Sequence, residues 1–354
     1  MGSILSSLVL TFFLAIVQPM VYAGEETNAE APSQGDSGDQ SLVPSAAPRP
    51  PSSDAPQIVE ADASSLQQKA VEMKSVITPF QAIVLGLVEG VTEYLPVSST
   101  GHLVIASELI GVRNESLSKE QLEAVEAFEI VIQSGAILAV LWLYFSRLKL
   151  MFFGILGKSQ EGLRLFLNIV AAFFPTAVLG LLFNKIIKEH LQYPGPVIGA
   201  LAVGGLCMIY FDRTSRAQFA RQHGKSLGEI TIVTAVAIGL FQSIAMWPGT
   251  SRSMMTIMGG MLLGLNPIAS AEFSFLLGLP TLLAATLFKS LKEGHVLMAN
   301  VSVSSMAIGL VVAGFSALLA VRGFVSWLNK HGLAPFGYYR IAIALVLFYL
   351  LVAK

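Results

Sequence analysis

Six apolar runs of roughly bilayer-spanning length constrain this chain more than any other feature. They are Val125–Phe145, Leu165–Phe183, Pro194–Phe211, Ala269–Phe288, Ser304–Ser326 and Gly337–Val352. A bilayer core about 30 Å thick calls for about 20 apolar residues in a helix. Charged residues make up only 13% of the sequence, where soluble domains carry about 25%. The mean hydropathy is +0.67. These features define an all-α polytopic membrane protein. The formal net charge of −1 points to no partner, and nothing in the sequence marks one of nucleic acid.

Two further apolar stretches are broken. Pro79–Leu95 is about 25 Å long as a helix. Pro96 stops it, and Leu103–Ile110, about 12 Å, is too short to cross. A polar loop, Gly111–Ala124, follows. The second stretch repeats the plan: Ile230–Trp247, a break at Pro248, then the short Thr256–Gly264. Non-helical backbone at membrane depth is tolerated only inside protein or against a wet cavity, so each stretch reads as a re-entrant helical hairpin. Gly86 and Gly239, and Gly111 and Gly264, are both 153 residues apart; Pro96 and Pro248 are 152 apart, and Phe128 and Phe273 are 145 apart. One hairpin plus three spans crosses an odd number of times. The two halves, about 78–211 and 229–353, therefore form an inverted-topology repeat, a plan that places sites where discontinuous helices meet. Arg147, Lys149, Lys158 and Arg164 in one loop, and Arg213, Arg216, Arg221 and Lys225 in another, mark the cytoplasmic side. The first hairpin then opens outward.

Ahead of this domain, which is expected over 77–354, Met1–Ala23 reads as a signal peptide. Its start lacks Lys or Arg, which keeps an uncleaved anchor as the rival reading. Gly24–Val76, rich in Ala, Pro, Ser and acids, reads as a disordered periplasmic linker. The single cysteine, Cys207, excludes an internal disulfide and is expected to be a small buried hydrophobe.

Ionisable groups inside such apolar stretches cost about 2.5–3.5 kcal/mol each and default to a functional reading. Glu89 and Glu93, spaced i,i+4, share one helix face. That pairing suits Mg²⁺ or Ca²⁺ with phosphate oxygens and water completing the shell; it equally suits one carboxylate neutralising a base while the other is protonated. In the second half the same positions are Gln242 and Met246. The first tip, Ser98-Ser99-Thr100-Gly101-His102, supplies hydroxyls and an imidazole close enough in sequence to act as base for Ser99; helix capping by Ser99 or Thr100, with His102 a hydrogen-bonded structural residue, is the alternative. The second tip, Gly249-Thr250-Ser251-Arg252-Ser253, supplies hydroxyls, close backbone approach and a guanidinium fork suited to phosphate. Arg252 pairing with Glu89 or Glu93 is compatible with that role. Thr256 is a candidate supporting donor. Glu129 and Glu272 read as packing or helix-end electrostatics, His295 and His331 as solvated loop residues, and Arg340 as a charge neutraliser or snorkelling side chain.

Glu89-Gly-Val-Thr-Glu93-Tyr-Leu-Pro-Val-Ser-Ser-Thr-Gly-His102, with Pro248-Gly-Thr-Ser-Arg252-Ser, resembles the signature motifs of bacterial undecaprenyl-diphosphate phosphatases of the bacitracin-resistance type. The resemblance covers about Thr78–Lys354. It implies removal of the terminal phosphate from a polyprenyl diphosphate, leaving the monophosphate carrier of wall synthesis. It also implies a site open to the periplasm in the bacterial inner membrane and dependence on Mg²⁺ or Ca²⁺. The family's acidic pair matches Glu89 and Glu93, its serine and histidine Ser99 and His102, and its essential arginine Arg252. Ser98, Thr100, Gly249, Thr250, Ser251 and Ser253 would line the phosphates. The sequence admits a homodimer. The rival class is a flippase for the polyprenyl phosphate, because inverted repeats with broken helices also describe carriers.

Overall fold

The computed structural model describes residues 75–351, residues 115 and 192 excepted; the expected signal peptide, and the expected linker up to residue 74, lie outside them. The linker was expected to reach Val76, yet Val76 N–H already donates to Asn300 O at 2.8 Å and Ile77 is fully buried. Val76 and Ile77 therefore belong to the packed domain, although composition alone ends the linker at Val76.

Twelve α-helices follow, with no strand among the described residues. The first broken stretch is α1 (Pro79–Thr92) and α2 (Ser99–Leu109). Next come α3 (Lys119–Leu143), α4 (Phe145–Ile155), α5 (Gln160–His190), α6 (Pro194–Asp212) and α7 (Ser215–His223). The second broken stretch is α8 (Ile232–Ile244) and α9 (Arg252–Leu262), followed by α10 (Pro267–Asn300), α11 (Val303–His331) and α12 (Ala334–Leu351). Five of these, α3, α5, α6, α10 and α11, are long and apolar enough to cross a membrane, whereas α12 is shorter over its described residues.

Local chemistry explains where the helices start. Thr78 and Gln81 form a capping box at the head of α1, with Pro79 in the first turn. Ser118 and Gln121 do the same for α3, which begins six residues before the expected Val125. Regular α1 ends at Thr92 rather than Leu95, because the residue before a proline is pushed out of the helical region and Pro96 has no N–H to give. The most consequential difference lies at the tips. α2 starts at Ser99 and α9 at Arg252, about one turn earlier than the apolar runs alone suggest. The polar tip residues are therefore the first helical turns, and Ser99 and Arg252 each occupy the first helical position. The basic loops after the first and third spans are partly helical, as α4 and α7. Pro175 and Pro280 sit inside α5 and α10. At 34 residues α10 is about 51 Å long, well beyond one bilayer core.

Packing pairs the halves. α1 runs against α11, and α8 against α5; α3 packs on α10, and α6 on α12. At the α1–α11 crossing, a Cβ on Gly86 would lie 2.5 Å from Gly309 O, and at the α8–α5 crossing one on Gly239 would lie 2.1 Å from Ala172 O. Ser316 Oγ donates to Gly86 O at 3.4 Å, and Thr176 Oγ1 to Gly239 O at 3.1 Å. Small residues with a hydroxyl beside them are how helices associate where water supplies no driving force. Cys207 departs from expectation: it is exposed on α6, a helix apolar on all sides, whose composition cannot distinguish a lipid-facing position from a protein-facing one.

Gly239→Val is expected to destabilise the fold by about 1–3 kcal/mol through overpacking. Gly199→Val, where an added Cβ meets nothing within 4 Å, should leave stability unchanged. Thermal unfolding midpoints of the two variants in detergent check this.

Candidate active site

The end of α1 carries the acidic pair into the interior. Glu89 and Glu93 are both buried, and the backbone N–H of Glu93 closes the helix onto Glu89 O. Each oxygen of Glu93 has a partner. Ser99 Oγ donates to Oε2 at 2.7 Å, and Arg252 Nη2 donates to Oε1 at 3.0 Å. The two first-position residues of α2 and α9, one from each half, therefore meet on one carboxylate.

The turn before each of these helices is strained in the same way. Ser98 has φ 73° and Ser251 has φ 76°, the two described non-glycine residues with positive φ. Strain of this kind costs about 1–3 kcal/mol per residue and persists only where surrounding contacts enforce it. Several contacts do so here. Ser253 Oγ donates to Leu95 O at 2.7 Å, tying the second tip to the first. Ser251 caps α9 by accepting from Met254 N–H, and Thr256 Oγ1 bonds Arg252 O and the Ser274 hydroxyl.

Arg252 is nearly enclosed. Its Nη1 donates to Ser274 O at 3.0 Å, and its guanidinium carbon lies 5.2 Å from the centre of the Tyr94 ring. Cation–π contact of this kind is worth about 2 kcal/mol when desolvated. Gly278 of α10 leaves the guanidinium its passage, because a Cβ there would stand 2.6 Å from Nη1. Tyr94 and Gly278 were not singled out in the sequence. The one signal for Tyr94 is its place beside Glu93, and for Gly278 there is none.

His102 departs from its expected pairing with Ser99. Its Nδ1 lies 2.8 Å from Ser98 O and its Nε2 lies 2.7 Å from Tyr339 Oη, with the two rings stacked at 12°. A carbonyl only accepts, so Nδ1 carries the proton, while Nε2 and the Tyr339 hydroxyl share a hydrogen bond. Ser99 is bonded to Glu93 instead, six residues earlier across the turn. Thr100 is exposed, Thr250 is buried, and Gly249 has φ 92° with Val197 O close beside it.

Glu89 Oε1 is buried and has no hydrogen-bond partner among the described residues. An orphaned carboxylate oxygen beside a second carboxylate is what a cation ligand looks like without its ion. Among the described residues no group of three or more His, Cys, Asp or Glu could hold an ion unaided. Glu89 Oε1 is the unpartnered buried oxygen of the acidic pair, so a hard cation here would take most of its ligands from phosphate and water.

The other singled-out residues lie outside this cluster or take different roles. Glu129 accepts from Ser107 and from Arg113, and Glu272 pairs with Arg147 at 2.6 Å. His295 and His331 are exposed as expected, but His295 lies within α10 and His331 in the last turn of α11 rather than in loops. Arg340 neither snorkels nor pairs with a carboxylate among the described residues; it is fully buried and donates to backbone carbonyls.

Comparison with known proteins accords with this constellation. Residues 82–346, which hold every residue of the site, match the family described as bacitracin resistance protein BacA. The chain belongs to that family. It is 46% identical over 270 residues to an undecaprenyl-diphosphatase of Sorangium cellulosum, covering 76% of this chain and 85% of the relative. Undecaprenyl-diphosphatase 2 of Rhodospirillum rubrum is 45% identical over 266 residues, 75% of this chain and 92% of the relative. An undecaprenyl-diphosphatase of Wolinella succinogenes is 42% identical over 272 residues, 77% of this chain and 98% of the relative. Family and apolar helices together make this a multi-pass membrane protein.

Ser253→Ala removes the hydrogen bond that ties the second tip to Leu95 O, which keeps the Val97 N–H at 2.8 Å, and is expected to cost about 0.5–1.5 kcal/mol. A lowered unfolding midpoint in detergent is the readout.

Proposed function

We propose that this protein is an undecaprenyl-diphosphatase. It hydrolyses undecaprenyl diphosphate to undecaprenyl phosphate and inorganic phosphate, recycling the lipid carrier of peptidoglycan synthesis and conferring bacitracin resistance. The observation that carries the reading is the convergence of Ser99 and Arg252 on Glu93. It joins a nucleophile and a phosphate-binding fork, at the first turns of α2 and α9, with a base at the end of α1. Relatives that match most of the chain are named for this activity.

Ser99 Oγ attacks the terminal phosphorus as its proton passes to Glu93 Oε2. The bond from that phosphorus to the bridging oxygen breaks, and undecaprenyl phosphate leaves. Water then cleaves the phosphoserine ester, releasing inorganic phosphate and restoring the serine. The phosphoryl group carries its charge on three oxygens in the transition state, so preorganised donors dominate catalysis. Arg252, the hydroxyls of Ser98, Thr100, Thr250, Ser251 and Ser253, the Gly249 backbone and the free N–H groups at the starts of α2 and α9 are those donors. Glu93 holds Arg252 and Ser99 together before substrate enters. His102 shapes the first turn through Ser98 O. Glu89 and Glu93 would hold a divalent cation, Mg²⁺ or Ca²⁺, which neutralises diphosphate oxygens when bound.

The same reading places the two broken stretches as re-entrant hairpins of an inverted repeat in the bacterial inner membrane. Two observations support it. Helices and their counterparts exchange partners between halves, and Thr78 and Thr231, which cap α1 and α8, keep the 153-residue offset of Gly86 and Gly239. With the basic loops of α4 and α7 cytoplasmic, the site opens to the periplasm.

Detergent-purified protein supplied with Mg²⁺ or Ca²⁺ is expected to release phosphate from a long-chain polyprenyl diphosphate. No release would overturn the enzyme in favour of a carrier, because transport needs two compartments. Glu93→Gln should cost about 10²–10⁴ in turnover and Arg252→Ala about 10²–10³. His102→Gln should cost less than either. Acid-quenched reactions should yield phosphoserine at Ser99; its absence, with turnover intact, would make Ser99 a residue that positions an attacking water. Chelation should abolish turnover, and Mg²⁺ or Ca²⁺ should restore it.

A further inference from the structure

One fully enclosed charge among the described residues lies outside the chemistry just described. Arg340 of α12 is 0% exposed and has no carboxylate within ion-pair distance among the described residues. A guanidinium at membrane depth persists only if its N–H groups are met. Its Nε donates to Leu201 O at 3.3 Å and its Nη2 to Ala200 O at 3.1 Å, both on α6. Its remaining bonds reach one carbonyl in each tip: Nη1 to Pro96 O at 3.4 Å and Nη2 to Gly249 O at 2.8 Å.

Pro96 and Gly249 are equivalent positions, separated by the same 153 residues as Gly86 and Gly239. Each lies two residues before a strained serine, Ser98 or Ser251, and three before the site residue, Ser99 or Arg252. One side chain thus grips the same point in both turns. Gly204 clears its place, because a Cβ there would stand 2.4 Å from Nη2. The neighbouring residue, Tyr339, supplies the hydroxyl that meets His102.

We infer that Arg340 is a positioning residue that sets the two tips in register, so that Ser99 and Arg252 both meet Glu93. The inference rests on the phosphatase reading and names no contact between Arg340 and substrate. A small misplacement of reacting groups costs about 10²-fold in rate, so register is where such a residue would act.

The test compares Arg340→Met and Arg340→Lys with wild type as purified full-length protein, after size-exclusion and thermal melting establish folding. Methionine keeps length and removes the buried charge; lysine keeps charge but cannot span four carbonyls. Both are expected to lower kcat by about 10²-fold while KM changes by less than about threefold. In an Arg252→Lys background, where the guanidinium fork being aligned is gone, Arg340→Met should lower kcat by less than about threefold. A folded Arg340→Met enzyme with wild-type kcat overturns the inference, as does a full loss repeated in the Arg252→Lys background. If neither single variant folds, Arg340 is a folding determinant and the positioning role is rejected. A wild type that releases no phosphate instead defeats the phosphatase reading itself.

Discussion

The contact between Glu93 and Arg252 is the interaction on which the rest of the structure depends. It joins side chains 159 residues apart, from opposite halves of the chain, across 3.0 Å inside an apolar protein. Each charge alone would be costly at that depth. Together they satisfy each other only if the ends of α1 and α9 arrive at one place. Prolines set where the first helices break; the pairing helps hold the strained turns that follow and accounts for the bare backbone at Gly278. Removing one partner leaves the other charge buried and unmatched, which makes the tips mutually dependent.

Around this pair the polar atoms of the interior are distributed in layers. Ser99 adds a hydroxyl to the same carboxylate, Ser253 ties one turn to the other, and Arg340 holds a carbonyl of each from behind. Glu89 Oε1 and Tyr94 Oη stay without partners among the described residues. Arg252 Nε, on the guanidinium that Glu93 holds, is unpartnered as well, and further such atoms, Ser134 Oγ and Thr286 Oγ1 among them, lie outside the site. Under the proposed phosphatase reading, a diphosphate with a cation would meet both the orphaned carboxylate oxygen and the incompletely used guanidinium.

Much of this could be read from the residues. Glu89, Glu93 and Arg252 stood out because ionisable groups are expensive in apolar runs, and Pro96 and Pro248 announced the breaks. The 153-residue offset of Gly86 and Gly239 is also that of Ser98 and Ser251, the two described non-glycine residues with positive φ. What was not legible has a common cause. The partner of Ser99 could not be told from spacing, since His102 and Glu93 are both near in sequence and only the path of the turn puts Glu93 in reach. Arg340 carried no motif, because its partners are backbone carbonyls and every residue has one. Cys207 faces outward from a helix whose composition is apolar on every side, so no amphipathic stripe indicated its direction.

The amino-acid sequence by itself determined the helical class, the membrane setting, the two broken stretches and the residue types of the site. Those follow from hydrophobicity, from proline and glycine punctuation and from the cost of buried charge, all of which act locally along the chain. The tertiary structure alone decided which of those residues touch: Ser99 with Glu93, Arg252 with Glu93 and Tyr94, and Arg340 with Pro96 and Gly249. Hydrogen bonds are short and directional, and helices packed through glycine contacts can bring groups far apart in sequence within 3 Å of one another. No one-dimensional pattern encodes that distance.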